Sequence, residues 1–136
     1  MVKLRLRRKG KIHHPIYDII AVDGRKRRDG AYLERLGYFD PHNAPSKVKI
    51  DTDRAIYWLN CGAQPTEVVR QLLSFEGVLL YRNLLKKGKP VTEIEAEVEK
   101  HKIATKATYA RRKELRKKRE AAKAKTAEEA KEKAAE

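Results

Sequence analysis

The chain has little of what cross-links a protein covalently or anchors it in a membrane. Cys61 is its only cysteine, so no disulfide can form within the chain, and a reducing, cytosolic setting is expected. The Cys61 side chain is expected to be half-buried rather than a reactive thiol. The sequence contains no run of about eighteen apolar residues, which a membrane-spanning helix needs. Its first residues also lack the apolar stretch of a signal peptide. We therefore expect a soluble intracellular protein with no membrane partner.

Motifs for binding cofactors, metals or small substrates are also lacking. Gly10, Gly24 and Gly30 are too far apart to form one phosphate-binding loop, and each is better interpreted as a turn. His13 and His14 are adjacent, so on an extended segment they would point to opposite sides and could not both hold one metal ion. We expect no cofactor, no metal and no small-molecule substrate.

One carboxylate pair leaves a catalytic alternative open. Asp51 and Asp53 could bind Mg²⁺ as the paired carboxylates of nucleases do, which would make the protein a magnesium-dependent, structure-selective nuclease. Their place at a predicted helix start explains them equally well, as a cap and as partners of the helix dipole. The expectation is therefore that the protein is not an enzyme.

Positive charge is abundant throughout, with 33 lysines and arginines against 19 acidic residues and a net charge of +14. Residues 1–88 carry 18 basic and 9 acidic side chains, and residues 89–136 carry 15 and 10, so the two parts contribute +9 and +5. From residue 89 onward there is no tryptophan, phenylalanine or glycine, and such a segment cannot bury a core. We predict a folded domain over 1–88 and an Ala-Lys-Glu-rich extension over 89–136.

Four segments of the domain have the pattern of β-strands. Residues 2–7 alternate apolar and cationic side chains, which predicts a strand with one face on the core and the other positively charged. Residues 16–22 are β-branched and predict a largely buried strand, followed by a third strand over 31–39. Residues 47–50 predict a short strand at an edge.

Helices follow the strands. Asp51 or Thr52 is predicted to cap a first helix that ends near Gly62, and Thr66 to cap a second that ends at Gly77. The pattern predicts an α+β fold with a small, mainly antiparallel sheet of four to five strands. Two helices are expected to pack against this sheet, and the C-terminal extension should be charged and partly helical.

The extension begins with a possible capping box, Thr92 with Glu95 three residues later. Further on, residues 111–119 are almost continuous positive charge. Two interpretations are open: a solvated, partly helical tail, or a second RNA contact that orders on binding.

Cations interleaved with apolar and tyrosine side chains in the first 39 residues indicate a shaped basic surface, for which RNA is the expected ligand. Of Tyr17, Tyr32, Tyr38 and Phe39, at least two are expected to fill the core and one to reach RNA. Trp58 is expected to pack in the core or at its rim, with stacking on a base as the alternative.

Seven short segments, in this order and spacing, carry a resemblance to a known family. They are RLRRKG at 5–10, PIY at 15–17, VDGR at 22–25, RDG at 28–30, LERLGYFDP at 33–41, WL at 58–59 and GAQPT at 62–66. They resemble the family of the sixteenth protein of the bacterial small ribosomal subunit, over roughly residues 1–80. Residues 89–136 have no counterpart in the short members of that family.

The resemblance implies a structural constituent of the small subunit in the bacterial cytoplasm. Such a protein binds the 5′ domain of small-subunit (16S) ribosomal RNA, promotes its folding and assembly, and neighbours other small-subunit proteins. No homo-oligomer is expected. An RNA chaperone that acts off the ribosome is the remaining alternative.

By the same resemblance, phosphates are expected to meet cations of the first strand and of the basic loop. The predicted RNA-binding residues of the domain are Arg5, Arg7, Arg8, Lys9, Lys11, His13, His14, Tyr17, Arg25, Lys26, Arg27, Arg28 and Arg35. Those of the extension are Arg111, Arg112, Lys113, Arg116 and Lys117. For Arg35, as for Glu34, an internal ion pair is as good an explanation as RNA.

Overall fold

A computed structural model describes residues 1–43 and 46–132, with side chains through residue 122. In chain order the elements are β1 (Val2–Lys11), β2 (His14–Asp23), β3 (Glu34–Asp40), β4 (Lys47–Ile50), α1 (Thr52–Asn60), β5 (Gln64–Pro65), α2 (Glu67–Phe75), α3 (Val78–Lys86) and α4 (Val91–Glu132). Residues 133–136, the end of the predicted extension, lie outside the described residues.

The five strands form one sheet in the order β4-β3-β2-β1-β5. The pairs β1–β2, β2–β3 and β3–β4 are antiparallel, whereas β5 runs parallel to β1. The predicted α+β fold with a mainly antiparallel sheet is therefore confirmed. Strand β5 was not predicted, because two residues are too short to show a period.

Alternation along β1 directs its apolar side chains to the core. Leu4 faces Ala21 across the β1–β2 pair, and Leu6 faces Ile19. Leu4, Ala21 and Ile19 are fully buried. These strand residues pack with side chains from α1 and α2, and the buried core cluster is Leu4, Ile19, Ala21, Leu36, Ala55, Ile56, Leu59, Ala63, Val69, Leu73 and Val78.

Strand β2 is the centre of the sheet and is covered on both faces. Ile19, Ile20, Ala21 and Val22 are consecutive and each is at most 1% exposed. Successive side chains of a strand point to opposite faces, so a continuous buried run requires cover on both sides. The prediction of a largely buried second strand is confirmed.

Strand β3 begins at Glu34, later than the predicted start at residue 31. The pairing of β2 with β3 shifts register between Ile19 and Ile20, a local bulge. Further along, a β-carbon on Gly37 would lie 2.0 Å from the carbonyl oxygen of Lys49. Only glycine therefore allows β4 to approach β3 this closely.

Two predicted helix caps have different outcomes. The Asp51 side chain accepts a hydrogen bond from the Arg54 backbone N–H at 3.2 Å, so the cap of α1 is confirmed. Thr66 stands before α2, but its side chain makes no capping hydrogen bond. Its backbone N–H donates instead to the Leu4 carbonyl at 3.0 Å, in continuation of β5. Gly77, with φ of 77°, ends α2 and precedes α3.

Two expectations about side chains are wrong. None of Tyr17, Tyr32, Tyr38 and Phe39 is buried in the core: Tyr32 is exposed and the other three are half-buried. Aliphatic side chains fill that space instead. Cys61, expected to be half-buried, is exposed.

The chain forms two compact units, Met1–Lys102 and Ile103–Glu136. The first reaches beyond the sequence boundary at residue 88 and takes in the first turns of α4. That helix begins at Val91, so Thr92 is inside it rather than at its cap. Ile94 is fully buried, and Lys89 forms an ion pair with Glu97.

The second unit is helical through Glu132. Its side chains that are described, through residue 122, are almost all exposed. Arg116 pairs with Glu120 one turn later, with 2.8 Å between Nε and Oε1. Of the helices described, none combines the length and the apolar character that crossing a bilayer requires.

The Glu34 carboxylate joins the sheet to α1. Oε1 accepts a hydrogen bond from Arg54 Nε at 2.6 Å. Oε2 accepts from Arg54 Nη2 at 2.7 Å and from the Trp58 indole N–H at 2.6 Å. The hydrogen bonds from Arg54, then that from Trp58, hold the pKa of Glu34 below its ordinary value of 4.5. Trp58 is half-buried at the rim of the core, as expected.

The first prediction concerns the pH dependence of this connection. Because the folded-state pKa of Glu34 is lowered, the ionised carboxylate stabilises the folded protein. This stabilisation is fully present above the ordinary pKa of 4.5 and is lost as pH falls through the folded-state pKa. Glu34→Gln should therefore lower the thermal midpoint more at about pH 6 than at about pH 3. Arg54→Ala removes the chief cause of the lowered pKa, so its thermal midpoint should likewise differ from that of the wild type more at about pH 6 than at about pH 3. If the difference in thermal midpoint between wild type and variant is the same at both pH values, the prediction is contradicted.

The second prediction concerns the boundary of the folding unit. Ile94→Ala should cost about 2–5 kcal/mol of unfolding free energy, the range for large-to-small changes at buried sites. Ile103→Ala is the matched control, because Ile103 is 69% exposed, and it should change stability little. A chain ending at Lys102 should keep the full thermal midpoint, and one ending at residue 88 should lose part of it. Equal midpoints for both truncations would instead place the boundary at residue 88.

Candidate nucleic-acid interface

The face of the sheet opposite the core carries a row of cations, which we call the outer face. Because Leu4 and Leu6 point to the core, Arg5 and Arg7 between them point away from it. Val48 and Ile50 of β4 pack against the core, so the lysines of β4 lie on the outer face as well. The outer-face cations are Lys3, Arg5, Arg7, Lys9, Arg35, Lys47 and Lys49.

Two arginines of this face hold the segment between β2 and β3. Arg5 donates through Nη2 to the Gly24 carbonyl at 3.2 Å and through Nη1 to the Lys26 carbonyl at 3.5 Å. The Arg7 guanidinium lies 5.2 Å from the centre of the Tyr32 ring, a cation–π distance. Ile20 and Val22 lie on the same side of the sheet as these arginines and are nevertheless buried.

The segment over residues 24–30 is the basic loop. Two turns shape it, with Lys26 N–H donating to the Asp23 carbonyl and Gly30 N–H to the Arg27 carbonyl. The Asp23 side chain also accepts from the Arg25 N–H at 3.1 Å. That hydrogen bond is the chief cause that lowers the pKa of Asp23.

All four cations of the basic loop are exposed. Arg28 forms an exposed ion pair with Asp29, with 3.3 Å between Nε and Oδ1. Within the described part of the chain, the side chains of Arg25, Lys26 and Arg27 make no hydrogen bond and no ion pair. These three cations are therefore held by their backbone and are free to meet a ligand.

The turn between β1 and β2 holds another predicted group. Arg8 Nη2 donates to the Ile12 carbonyl at 3.0 Å, and the His14 ring stacks on His42 with 3.9 Å between centroids. Lys11, His13 and His14 are exposed. A β-carbon on Gly10, whose φ is 85°, would lie 2.4 Å from the His14 carbonyl oxygen, so the turn requires glycine.

Tyr17 lies apart from the outer face. Residues 17, 19 and 21 share one face of β2, and Ile19 and Ala21 are in the core. The Tyr17 ring packs against Phe39, with 6.1 Å between centroids. The same alternation places Arg8, opposite Tyr17 in β2, on the core side at the end of the sheet. The structure therefore does not bring Tyr17 together with Arg5 and Arg7.

Arg35 has an internal ion pair, one of the two explanations that the sequence left open. Its Nε lies 3.1 Å from Asp18 Oδ1. Lys9 Nζ lies 2.5 Å from the other oxygen, Asp18 Oδ2. Glu34, the neighbour of Arg35, pairs with Arg54 instead.

Sequence reasoning missed several residues of this surface. The alternation in residues 2–7 and 47–50 was sufficient to place Lys3, Lys47 and Lys49 beside the predicted cations. Asp18 was missed because a single acid within a β-branched run has no motif. The sequence did contain a clue, because Asp18 is the one charged residue in the otherwise apolar strand predicted over 16–22, and a charged residue in a buried strand needs a partner.

The predicted cations of the extension lie in the second compact unit. Arg111, Arg112, Lys113, Arg116 and Lys117 are exposed on α4. Residues three or four apart share a helix face, and the cations at 112 and 116 do so. Among the side chains that the structure describes, Arg116 pairs with Glu120 and the other four cations form no ion pair.

The carboxylates of the nuclease alternative have structural positions. Asp51 caps α1, and Asp53 is exposed in the first turn of the same helix. No group of three or more histidine, cysteine or acidic side chains in the described residues is placed to hold a metal ion.

Known proteins are similar to this chain in sequence. The family model of Ribosomal protein S16 matches residues 8–66. The small ribosomal subunit protein bS16 of Salinibacter ruber is 49% identical over 98 residues, which are 72% of this chain and 48% of that protein. This chain therefore spans less than half the length of that relative.

Two other relatives are matched over nearly their whole length. The bS16 protein of Pseudothermotoga lettingae is 49% identical over 89 residues, 65% of this chain and 91% of that protein. The bS16 protein of Chlorobium chlorochromatii is 39% identical over 135 residues, 94% of this chain and 99% of that protein. The second alignment reaches into the extension, so some relatives have a counterpart of it.

The relatives are named as ribosomal proteins and not as enzymes, in agreement with the expectation that this chain is not an enzyme. The resemblance carried by the seven sequence segments is confirmed by the family match and by these identities. This chain belongs to the ribosomal protein S16 family.

Proposed function

We propose that this protein is a structural constituent of the small ribosomal subunit. Its proposed partners are small-subunit (16S) ribosomal RNA and neighbouring small-subunit proteins, and its place is the cytoplasmic ribosome. Family membership supports the role in the small subunit. The observation that carries RNA binding is the outer face, where seven cations share one side of a folded sheet.

The proposed mechanism is electrostatic. Where several RNA helices converge, their phosphates repel one another, and a cationic surface of fixed shape removes that repulsion and releases counterions. Contacts to the phosphate backbone and to RNA shape should dominate over base reading, because the edges of paired bases in A-form RNA are poorly accessible. Binding of this kind to the 5′ domain would favour its compact fold and so promote subunit assembly.

The contact residues of the domain are proposed to fall into three groups. These are the outer face with Arg5, Arg7, Lys9 and Arg35, the basic loop, and the turn with Lys11 and His13. The proposal for the extension is a second contact through residues 111–119, which adds affinity by tethering and is sensitive to salt. Tyr17 and Arg8 are the weakest candidates, because they lie on the other side of the sheet.

The third prediction tests the place of the protein in the cell. On a sucrose gradient of a cell lysate, the chain should sediment with small subunits in a fixed ratio to their RNA. Raising the salt moderately should leave this association intact, because an assembled constituent is held by many contacts at once. A chain found mainly in the slow fractions at the top would favour the RNA chaperone acting off the ribosome.

The fourth prediction tests the cationic surface with a transcript of the 5′ domain. The affinity should fall steeply with salt, each phosphate contact adding about −0.7 to −0.9 to the log–log slope. Arg25→Ala with Arg28→Ala should weaken binding and reduce this slope. The thermal midpoint should barely change, because exposed charges contribute little to folding.

A matched control removes the same charge elsewhere. Arg70 and Lys86 are exposed cations on α2 and α3, which pack on the core side of the sheet. Arg70→Ala with Lys86→Ala should leave the affinity close to that of the wild type. If both double variants weaken binding equally, net charge alone explains the affinity and the assignment to the basic loop is wrong.

A further inference from the structure

The outer face has a buried acid among its cations. Asp18 is the one charged residue that is buried in the described part of the chain, and its side chain is 3% exposed. It lies in the middle of β2, directly opposite Arg7 on β1 and Tyr38 on β3. A carboxylate in this position repels phosphate and loses its hydration, so its presence on an RNA-binding face needs a physical reason.

The reason lies in its two partners. Lys9 comes from β1 and Arg35 from β3, so the carboxylate of Asp18 bridges two cations across the central strand. The distances are 2.5 Å from Lys9 Nζ to Oδ2 and 3.1 Å from Arg35 Nε to Oδ1. Each cationic side chain is 49% exposed. One part of each is therefore anchored on the buried acid while the rest faces solvent.

We propose that Asp18 is a positioning residue that holds Lys9 and Arg35 as a preformed binding pair for an RNA phosphate. The proposal rests on the RNA-binding function proposed above. We call the three residues the Asp18 clamp. Two cations and one carboxylate leave the clamp with a net charge of +1, so it still attracts an anion.

The chemistry of the two cations fits a phosphate. Arg35 approaches Asp18 with Nε, and its Nη1 and Nη2 make no hydrogen bond among the described residues. Two such terminal donors match two phosphate oxygens. Lys9 Nζ and Asp18 Oδ2 are in ion-pair contact but not in hydrogen-bond geometry, so the three donors of the ammonium stay available to a phosphate. Because both side chains are already ordered, the pair loses less rotamer entropy on binding than free surface cations do.

The clamp and the basic loop should therefore contribute differently. In the described structure the side chains of Arg25, Lys26 and Arg27 make no hydrogen bond or ion pair and can adapt to many phosphate positions, so they mainly attract RNA. Lys9 and Arg35 are fixed relative to the sheet. They should select the orientation in which a phosphate lies against β1 and β3, since backbone contacts set the register of a bound nucleic acid.

The fifth prediction uses Asp18→Asn in the full chain, with the 5′-domain transcript as the probe. This change removes a negative charge, so attraction by net charge alone predicts tighter binding. The clamp predicts about tenfold weaker binding, because charge-assisted contacts lose their geometry. Asp29→Asn is the control: it makes the same charge change at an exposed acid of the basic loop and should leave binding equal to, or tighter than, that of the wild type.

Stability is measured beside affinity, with binding assayed well below the thermal midpoint of each variant. A lower midpoint with wild-type or tighter binding of the folded protein would show that Asp18 serves only the fold, and would overturn the proposal. Weaker binding by the folded variant, with no loss for Asp29→Asn, supports it.

A second variant keeps the test decisive if Asp18→Asn does not fold. Arg35→Lys preserves the charge at a half-exposed position but removes the two terminal nitrogens. It should weaken binding with an unchanged salt slope, whereas Arg70→Lys, the same change at an exposed arginine of α2 on the core side of the sheet, should not. Wild-type affinity of Arg35→Lys would overturn the clamp. If the wild-type chain itself does not bind the transcript, the proposed function fails, and the clamp fails with it.

Discussion

The antiparallel register of β1 against β2 determines where the charged side chains of the domain lie. Leu4 and Leu6 face Ala21 and Ile19 across this pair, so the intervening arginines must face away from the core. A slip of one residue would exchange the two faces and bury Arg5 among apolar side chains. The cost of that burial makes the register, and with it the cationic outer face, a consequence of core packing.

Four acidic residues of the folded domain each hold a neighbouring helix, strand, loop or side chain in place. Asp51 caps α1, Glu34 joins β3 to α1, and Asp23 receives the N–H of Arg25 in the basic loop. Asp18 lies between two cations. An acid engaged in this way presents less free negative charge to an approaching polyanion, so the net charge of +9 on residues 1–88 acts through exposed lysines and arginines.

Cations of the domain and of the extension differ in how firmly they are held. On the outer face, Arg5 is held by backbone carbonyls, Arg7 by an aromatic ring and Arg35 by a carboxylate. On α4 the predicted cations at 111–117 are exposed along a single helix, where Arg116 pairs with Glu120 one turn later. A surface that several strands position can complement one RNA shape, whereas a charged helix supplies attraction with less geometric selection.

The sequence by itself determined the strand pattern, the cationic face of β1, the Asp51 cap and the family, because these depend on residues close together in the chain or on spaced motifs. Only the tertiary structure decided that β5 pairs with β1, that Arg5 holds the basic loop and that Tyr17 lies away from the outer face. It also decided that Asp18 joins Lys9 to Arg35. These contacts depend on strand pairing between distant segments, and local periodicity carries no information about which side chain a distant strand brings near.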